Sequence, residues 1–477
     1  MNGIIPIKTI SNKHYLYDRT SSSLYAISSA IYASIKNTQD CVSVIPEKSS
    51  PIALIDRIEQ EGLSPDEFTT LVQILTNCME LRKKTAGIRD IEYIEKERIN
   101  KSWTNCKQIV VELTQRCNMK CLYCCYGELY NQFDIRNKDG NGVFENYKAV
   151  IEDKVKRGFS SKELIISFYG GEPLLNFETI KKIVSFTNRK FPKTEKTYTI
   201  TTNGLLLEKF HSYLVKNKFK VSVSLDGNHK ADVFRVGKNQ KQTFPIVEKA
   251  LNHLHLFHND YFKDNVTFLS LLNSKSNYAN TISFFSKYGK KPKFSSLSLE
   301  NVNVEKLNVL NEIKPQKENI KEIFTSKEFR EDILSDQLAN YHRFIGTDVV
   351  YKIGASKNWR YPFSSCFLFQ NRIFITVDGQ ILPCERVDRD YIFGKIVDNR
   401  VELDYDKINL FYKEQNIIFK TSCRDCVLRN ACSLCFFANR EQITKSQCKY
   451  NNMQLTDELT SLLSNLERYE AKDSVIQ

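Results

Sequence analysis

Residues 107–127 read KQIVVELTQRCNMKCLYCCYG. An apolar, β-branched run ends in a loop that sets Cys117, Cys121, Cys124 and Cys125 close together. A loop so dense in thiols could hold a zinc ion, a disulfide or an iron–sulfur cluster. A structural zinc site asks for four closed ligands, usually as two C-x2-C pairs. Three cysteines in one loop, spaced C-x3-C-x2-C, suit a [4Fe–4S] cube, with three irons on thiolates and one left free. Cys125 is then the spare thiol: its side chain points away from its neighbour's, as a structural or reactive extra. The strand ahead of the loop is the first of a series, and the series decides the fold.

Six β-rich runs follow one another: KQIVVELT (107–114), ELIISFYGG (163–171), TYTITTNG (197–204), KVSVSLDG (220–227), VTFLSLLN (266–273) and KFSSLSLE (293–300). Between them lie stretches with helical apolar spacing, such as NFETIKKIVSFTNRKF and FPIVEKALNHLHLFH. Strand–helix alternation implies parallel strands with right-handed crossovers, and six units fall short of the eight that close a full barrel. The expected fold is α/β, a partial (β/α)6 TIM-like barrel over residues 101–300. Ahead of it, IPIKTI, HYLYDRT and SLYAISS read as three short strands, followed by mainly helical pattern from 28 to 98. That makes residues 1–100 a small αβ module of their own. NKDGNG (137–142) marks a turn. Residues 301–360 read as a helical connector, 361–450 as cysteine-rich and loop-like, and 451–477 as a C-terminal segment with a polar helix at about 452–471.

A chain of 477 residues exceeds one ordinary core and suggests two or three domains. Its 41% apolar and 26% charged residues are those of a globular protein. No stretch approaches the roughly 18 apolar residues a membrane span needs, and MNGIIPIKTI lacks a signal peptide's apolar core. The expected location is the cytoplasm, away from any membrane. Thiols stay reduced there, so 14 cysteines argue for metal ligation over disulfides. The net charge of +13 is uneven: residues 101–300 hold 32 Lys and Arg against 18 Asp and Glu, whereas the flanking parts are near neutral. This excess suits a solvated surface or an anionic partner such as an acidic peptide. The basic residues form no tight cluster, which argues against nucleic acid.

The C-x3-C-x2-C spacing, with aromatic Tyr123 before the third cysteine, resembles the signature of the radical S-adenosylmethionine (SAM) superfamily. The resemblance implies that Cys117, Cys121 and Cys124 hold a [4Fe–4S] cluster whose free iron chelates SAM. One electron would then cleave the sulfonium, and the resulting radical would take hydrogen from a substrate. YGGEP (169–173) ends the second strand, and the resemblance assigns Gly170, Gly171 and Glu172 to the SAM amino group. Glycine lets backbone approach a cationic amine, and a carboxylate offsets its charge; Pro173 opens the next helix. TTNG, with Asn203, and SLDG, with Ser224 and Asp226, end the third and fourth strands. Ser224 and Asp226 are placed for ribose or carboxylate contacts, and Arg235 resembles the arginine that holds the SAM carboxylate. In a parallel barrel such strand ends share one face.

Seven further cysteines lie near the C-terminus: Cys366, Cys384, Cys423, Cys426, Cys432, Cys435 and Cys448. Paired C-x2-C motifs also suit a zinc ribbon. The full pattern resembles the SPASM extension of radical SAM peptide-modifying enzymes, related to sulfatase-maturating enzymes, which carries two auxiliary [4Fe–4S] clusters. FITVDGQILPCERV (374–387) matches its hairpin, with Asp378-Gly379 at the turn. The resemblance implies Cys366, Cys384 and Cys435 on one cluster, and Cys423, Cys426, Cys432 and Cys448 on the other. The family spaces the last pair by three residues, whereas two separate Cys432 from Cys435. Two cubes need eight ligands and seven cysteines are present, so one iron is expected to be open to solvent, another group or a substrate thiol.

The implied function is a peptide maturase that joins a ribosomal precursor by a thioether or carbon–carbon bond. The N-terminal module resembles a winged-helix leader-recognition domain, in which a leader peptide pairs with a strand edge. The expected partners are that precursor and an electron donor such as flavodoxin or ferredoxin. One alternative is oxidation of a Cys or Ser side chain to formylglycine. A non-enzymatic iron–sulfur or zinc scaffold is another, although GGEP and SLDG count against it. The seven histidines show no obvious constellation.

Overall fold

The structure is a computed structural model. It describes residues 4–18, 23–41, 63–85, 94–130, 140–295, 297, 302–315 and 367–422, with 435–437, 440, 460, 463, 464 and 467 beyond them. The chain divides into two compact units.

One unit draws on residues 1–93, 330–367 and 411–477. Three strands, β1 (Ile4–Lys8), β2 (His14–Asp18) and β3 (Ser23–Ile27), form an antiparallel sheet in the order β1-β2-β3. The helices Ser29–Cys41 and Pro65–Thr85 follow. Leu16 from the sheet packs with Ile31 and Ile35 of the first helix and with Leu71, Ile74, Leu75 and Cys78 of the second. The helical spacing of those residues is what puts them on one buried stripe each. Within the same unit, Glu467 accepts from Ser11 and, at 2.9 Å, from the Tyr15 hydroxyl, while Ser464 Oγ accepts from Ile10 N at 3.0 Å. Most of the helix expected at 452–471 lies outside the described residues; Ser464 and Glu467 are helical.

The other unit holds a ten-stranded mixed sheet. Each of the six β-rich runs supplies a strand: β4 (Gln108–Glu112), β5 (Glu163–Tyr169), β6 (Glu195–Thr202), β7 (Lys220–Ser224), β8 (Val266–Leu271) and β9 (Lys293–Ser295). They lie in chain order and each neighbouring pair is parallel. Helices Val143–Lys156, Phe177–Lys190, Leu207–Lys216, Phe244–Phe257 and Tyr278–Ser286 make the five crossovers. Consecutive parallel strands need such crossovers, so all six strands end at the same edge of the sheet. The helix Lys96–Asn105 packs into this unit: Trp103 is fully buried, meets Phe369 edge-on at 5.1 Å and donates to Asp153 at 2.8 Å.

The loop-like reading is corrected over the described residues 367–422. β10 (Ile373–Ile375) pairs parallel with β4, placing Ile373 beside Ile109 and Ile375 beside Val111. β11 (Gln380–Leu382), β12 (Gly394–Val397) and β13 (Arg400–Leu403) then extend the sheet antiparallel. The expected Asp378-Gly379 hairpin turn is present, with Gly379 at φ +78. An 18-residue helix, Tyr405–Ser422, follows. These strands span only three or four residues, and Ile373–Ile375 are all buried, so any alternation is too short to mark them. Most of the expected connector lies outside the described residues, which include a helix at Leu307–Ile313.

Candidate active site

Beyond β4 the chain runs beside β5 for one more residue, Leu113 N donating to Tyr169 O at 2.9 Å, and enters the cysteine loop. The loop is tied down by its own turns: Cys124 N donates to Cys121 O at 3.2 Å and Gly127 N to Cys124 O at 2.8 Å. Its other side pairs with residues 234–237. Lys120 N donates to Val236 O at 2.7 Å, Leu122 N to Phe234 O at 3.0 Å, and Met119 bridges Gly237. Cys117, Cys121 and Cys124 are half-buried and close enough for their thiols to feel one another. Cys125 is the more exposed residue, but its thiol hydrogen-bonds to that of Cys124, so the expectation that its side chain points away from its neighbour's is corrected. Burial pushes the Cys121 thiol up to about 12, and raises Cys117 as well. Among the described residues no three ligands converge on a point fit for a single metal ion.

The GGEP turn lies flush against this loop. Gly170 has φ +134, and a Cβ there would fall 2.2 Å from Thr114 O. Gly171 N donates to Thr114 O at 2.8 Å and Glu172 N to Arg116 O at 2.9 Å. The glycines thus serve the approach of one backbone to another. Glu172 is fully buried. Its carboxylate accepts from Leu174 N at 3.1 Å, Thr202 Oγ1 at 2.8 Å and Asn203 N at 2.8 Å, joining the ends of β5 and β6. Burial raises its pKa to about 7 despite those donors. Pro173 opens the short turn Pro173–Asn176. Asn203 Nδ2 reaches Asn118 Oδ1 at 2.8 Å and the Cys117 sulfur at 3.6 Å.

The end of β7 brings in the remaining expected residues. Ser224 is half-buried beside Leu269. Asp226 is buried; it accepts from the Tyr123 hydroxyl and, at 3.1 Å, from Leu271 N. Arg235 donates to the Tyr123 hydroxyl at 3.1 Å and brings Nε to 3.6 Å from Asp232 Oδ1, which also accepts from Asp226 N at 3.0 Å. Burial raises the Asp226 pKa, opposed by the Arg235 charge. Sequence reading singled out Tyr123 only as an aromatic and passed over Asp232, whose Oδ2 has no hydrogen-bond partner. The spacing of Asp232 and Arg235 across one helical turn was the available signal.

Of the second cysteine set, Cys384 and Cys435 are described, both half-buried; Cys366, Cys423, Cys426, Cys432 and Cys448 lie outside the described residues. Cys384 follows β11. Its thiol donates to Glu385 Oε2 at 3.3 Å and accepts from Arg386 N at 3.4 Å. Met119 N approaches the Cys117 sulfur in the same way, also at 3.4 Å. Arg372 holds both Glu385 oxygens, at 2.7 and 2.9 Å. Beside Cys117 opens a polar cavity of about 660 Å³, whose wall includes Arg116, Glu145, Lys182 and Lys238. No helix among the described residues is long and apolar enough to cross a membrane.

Comparison with known proteins agrees with this layout. Residues 111–273 match the Radical SAM superfamily model, and residues 366–427 match the SPASM model, an iron–sulfur cluster-binding domain. The chain is 34% identical over 136 residues to an uncharacterized protein of Methanocaldococcus jannaschii, covering 28% of this chain and less than half, 44%, of that one. It is 23% identical to the radical SAM cyclopropyl synthase TigE of Paramaledivibacter caminithermalis, over 80% of both chains. Against a cysteine-type anaerobic sulfatase-maturating enzyme of Clostridium novyi it is 25% identical, over 67% of this chain and 84% of the other. The solved structure of native anSMEcpe with bound AdoMet and Cp18Cys peptide shares the fold, with TM-score 0.51 and 17% identity over 78% of this chain and 99% of that one. The chain therefore carries a Radical SAM superfamily domain at residues 111–273 and a SPASM iron–sulfur domain at 366–427, a pairing that uses [4Fe–4S] clusters and S-adenosylmethionine.

Proposed function

We propose that the protein is a radical SAM peptide maturase, installing a thioether or carbon–carbon cross-link in a ribosomal precursor peptide. One observation carries the reading: the loops after β4, β5, β6 and β7 meet at one sheet edge and hydrogen-bond to one another through Glu172, Asn203 and Tyr123. The residues fit the cofactors. Met119 N and Asn203 Nδ2 both point at the Cys117 sulfur, which favours the thiolate a metal requires. Bound there, the cluster and SAM would supply a one-electron route to a radical that removes hydrogen from the substrate. The chain's own task is to bind, orient and exclude water. In this reading Gly170, Gly171, Glu172 and Pro173 face the SAM amine, Asn203 steadies Cys117, and Ser224, Asp226 and Arg235 hold the ribose and carboxylate.

The finer assignments belong to the same proposal. The six parallel strands form a partial (β/α)6 barrel, and the N-terminal sheet and helices form a winged-helix-like leader-binding module. The SPASM cysteines hold two more clusters, with one iron open to a substrate thiolate. Likeness to a cyclopropyl synthase supports carbon–carbon bond formation, since a cyclopropyl ring is closed by such a bond. Likeness across 84% of a sulfatase-maturating enzyme supports a second reading, oxidation of a Cys or Ser side chain.

Anaerobic reconstitution with SAM and dithionite, followed by assay for 5′-deoxyadenosine, tests the reading. Alanine at Cys117, Cys121 or Cys124 should abolish cleavage, whereas Cys125→Ala should keep most of it. Equal loss in all four variants would overturn the ligand assignment. No cleavage by the wild-type chain despite full iron content would favour a scaffold.

A further inference from the structure

Among the described buried groups that the proposed reaction leaves unused, Glu112 connects two separate cysteine segments. It ends β4 and is 0% exposed. Tyr126, two residues after Cys124, donates to its Oε1 at 3.0 Å. Val377 N, in the turn between β10 and β11, donates to Oε2 at 2.9 Å. Arg389 brings a guanidinium nitrogen to 3.5 Å from the same oxygen, and Gln115 Nε2 lies at 3.4 Å. Arg389 is itself held, donating to Gln380 Oε1 at 2.8 Å.

Cys384 lies between Val377 and Arg389 in the chain, so both arms of its loop are tied to one carboxylate. The ladder between β10 and β4 stops at the pair Ile375–Val111. Glu112 is the next residue, and its side chain carries the contact past the last main-chain bond. A buried carboxylate is stable only while donors and a cation match it, so moving one donor is felt by the others.

We propose that Glu112 is a positioning residue that couples the Cys124 loop to the Cys384 loop, so that a disturbance at one is transmitted to the other. This rests on reading Cys384 as a cluster ligand. A double-mutant cycle, rather than adjacency, is what demonstrates such coupling.

Two measurements test it. In the metal-free chain, Glu112→Gln should speed amide hydrogen exchange at least about tenfold in both 117–127 and 377–389. Acceleration confined to one segment would overturn the proposal. If Glu112→Gln does not fold, Tyr126→Phe, which removes one donor and keeps the ring, should speed exchange in both segments by a smaller factor. In the reconstituted protein, Cys384→Ala should change the electron paramagnetic resonance spectrum of the reduced first cluster in the wild-type background and leave it unchanged in Glu112→Gln. An equal change in both backgrounds would overturn the coupling while leaving the radical SAM reading intact. No cluster signal from the wild-type chain would count against that reading alone, because the hydrogen-exchange result needs no cluster.

Discussion

Lys154 is a cation with no water around it: the residue is 0% exposed and donates to the carbonyls of Trp103 and Thr104 at the end of the helix Lys96–Asn105. The last carbonyls of a helix lack i+4 donors; Trp103 O also accepts from the C-cap Cys106 N at 3.4 Å, and the Lys154 ammonium helps to cap both carbonyls. Burial lowers its pKa to about 8 from the usual 10.5. The unfolded chain therefore binds the extra proton between those values, and stability should rise with pH from about 8 to about 10.5. The ceiling on that rise is about 3 kcal/mol, from the size of the shift. Calorimetric unfolding of the metal-free chain at pH 7.5 and 9.5 checks it. The rise should vanish in Lys154→Met, which should also be less stable at pH 9.5 because both carbonyls lose the Lys154 side chain as a donor. A rise of equal size in both proteins would assign the pH dependence elsewhere.

At the scale of elements, the parallel run was legible because its first five strands carry β-branched stretches long enough to see, and each of these is followed by a helix with 3.6-residue spacing; β9, only three residues long, has no β-branched residue. The site was legible for the same reason, since its motifs sit at strand ends. What stayed hidden were partnerships across the chain. Nothing in the spacing of Glu112, Val377 and Arg389 says that they meet. The helix Tyr405–Ser422 was readable: Ile408, Phe411, Tyr412, Gln415 and Ile418 are buried at helical intervals, but the cysteines around them drew the reading toward loops. The GGEP turn gives the prediction that belongs to this scale. Gly170→Ala adds a Cβ in a backbone region that L side chains rarely adopt, 2.2 Å from a main-chain oxygen of the neighbouring loop. The turn and the cysteine loop must then separate. Reconstituted Gly170→Ala should lose about 4 iron per chain, one cube, while the far-ultraviolet dichroism of the sheet and helices is kept. Full iron retention would mean that the loops tolerate separation.

For the whole molecule, the charge of +13 comes from residues 101–300, and the structure places part of that excess beside the site. Arg116, Lys182 and Lys238 line the cavity next to Cys117, and Glu145, the one acid among its described lining residues, pairs with Lys148 at 3.7 Å. A cluster held by Cys117 would have an electropositive flank where one of its ligands meets open space. An acidic electron carrier would be steered to such a face, and steering of this kind raises association by roughly tenfold or more at low salt. Dithionite, small and in excess, needs no docking face. SAM cleavage driven by an acidic flavodoxin should therefore fall steeply as salt rises, and cleavage driven by dithionite should not. Reversing Lys182 and Lys238 to Glu should slow the flavodoxin reaction about tenfold, weaken flavodoxin binding in titration calorimetry and flatten the salt dependence. The same reversal at Lys216, outside the cavity wall, should change none of these. Equal slowing with both reductants would mean that the lysines support the fold or the cluster, and no slowing with either would place electron entry elsewhere on the surface.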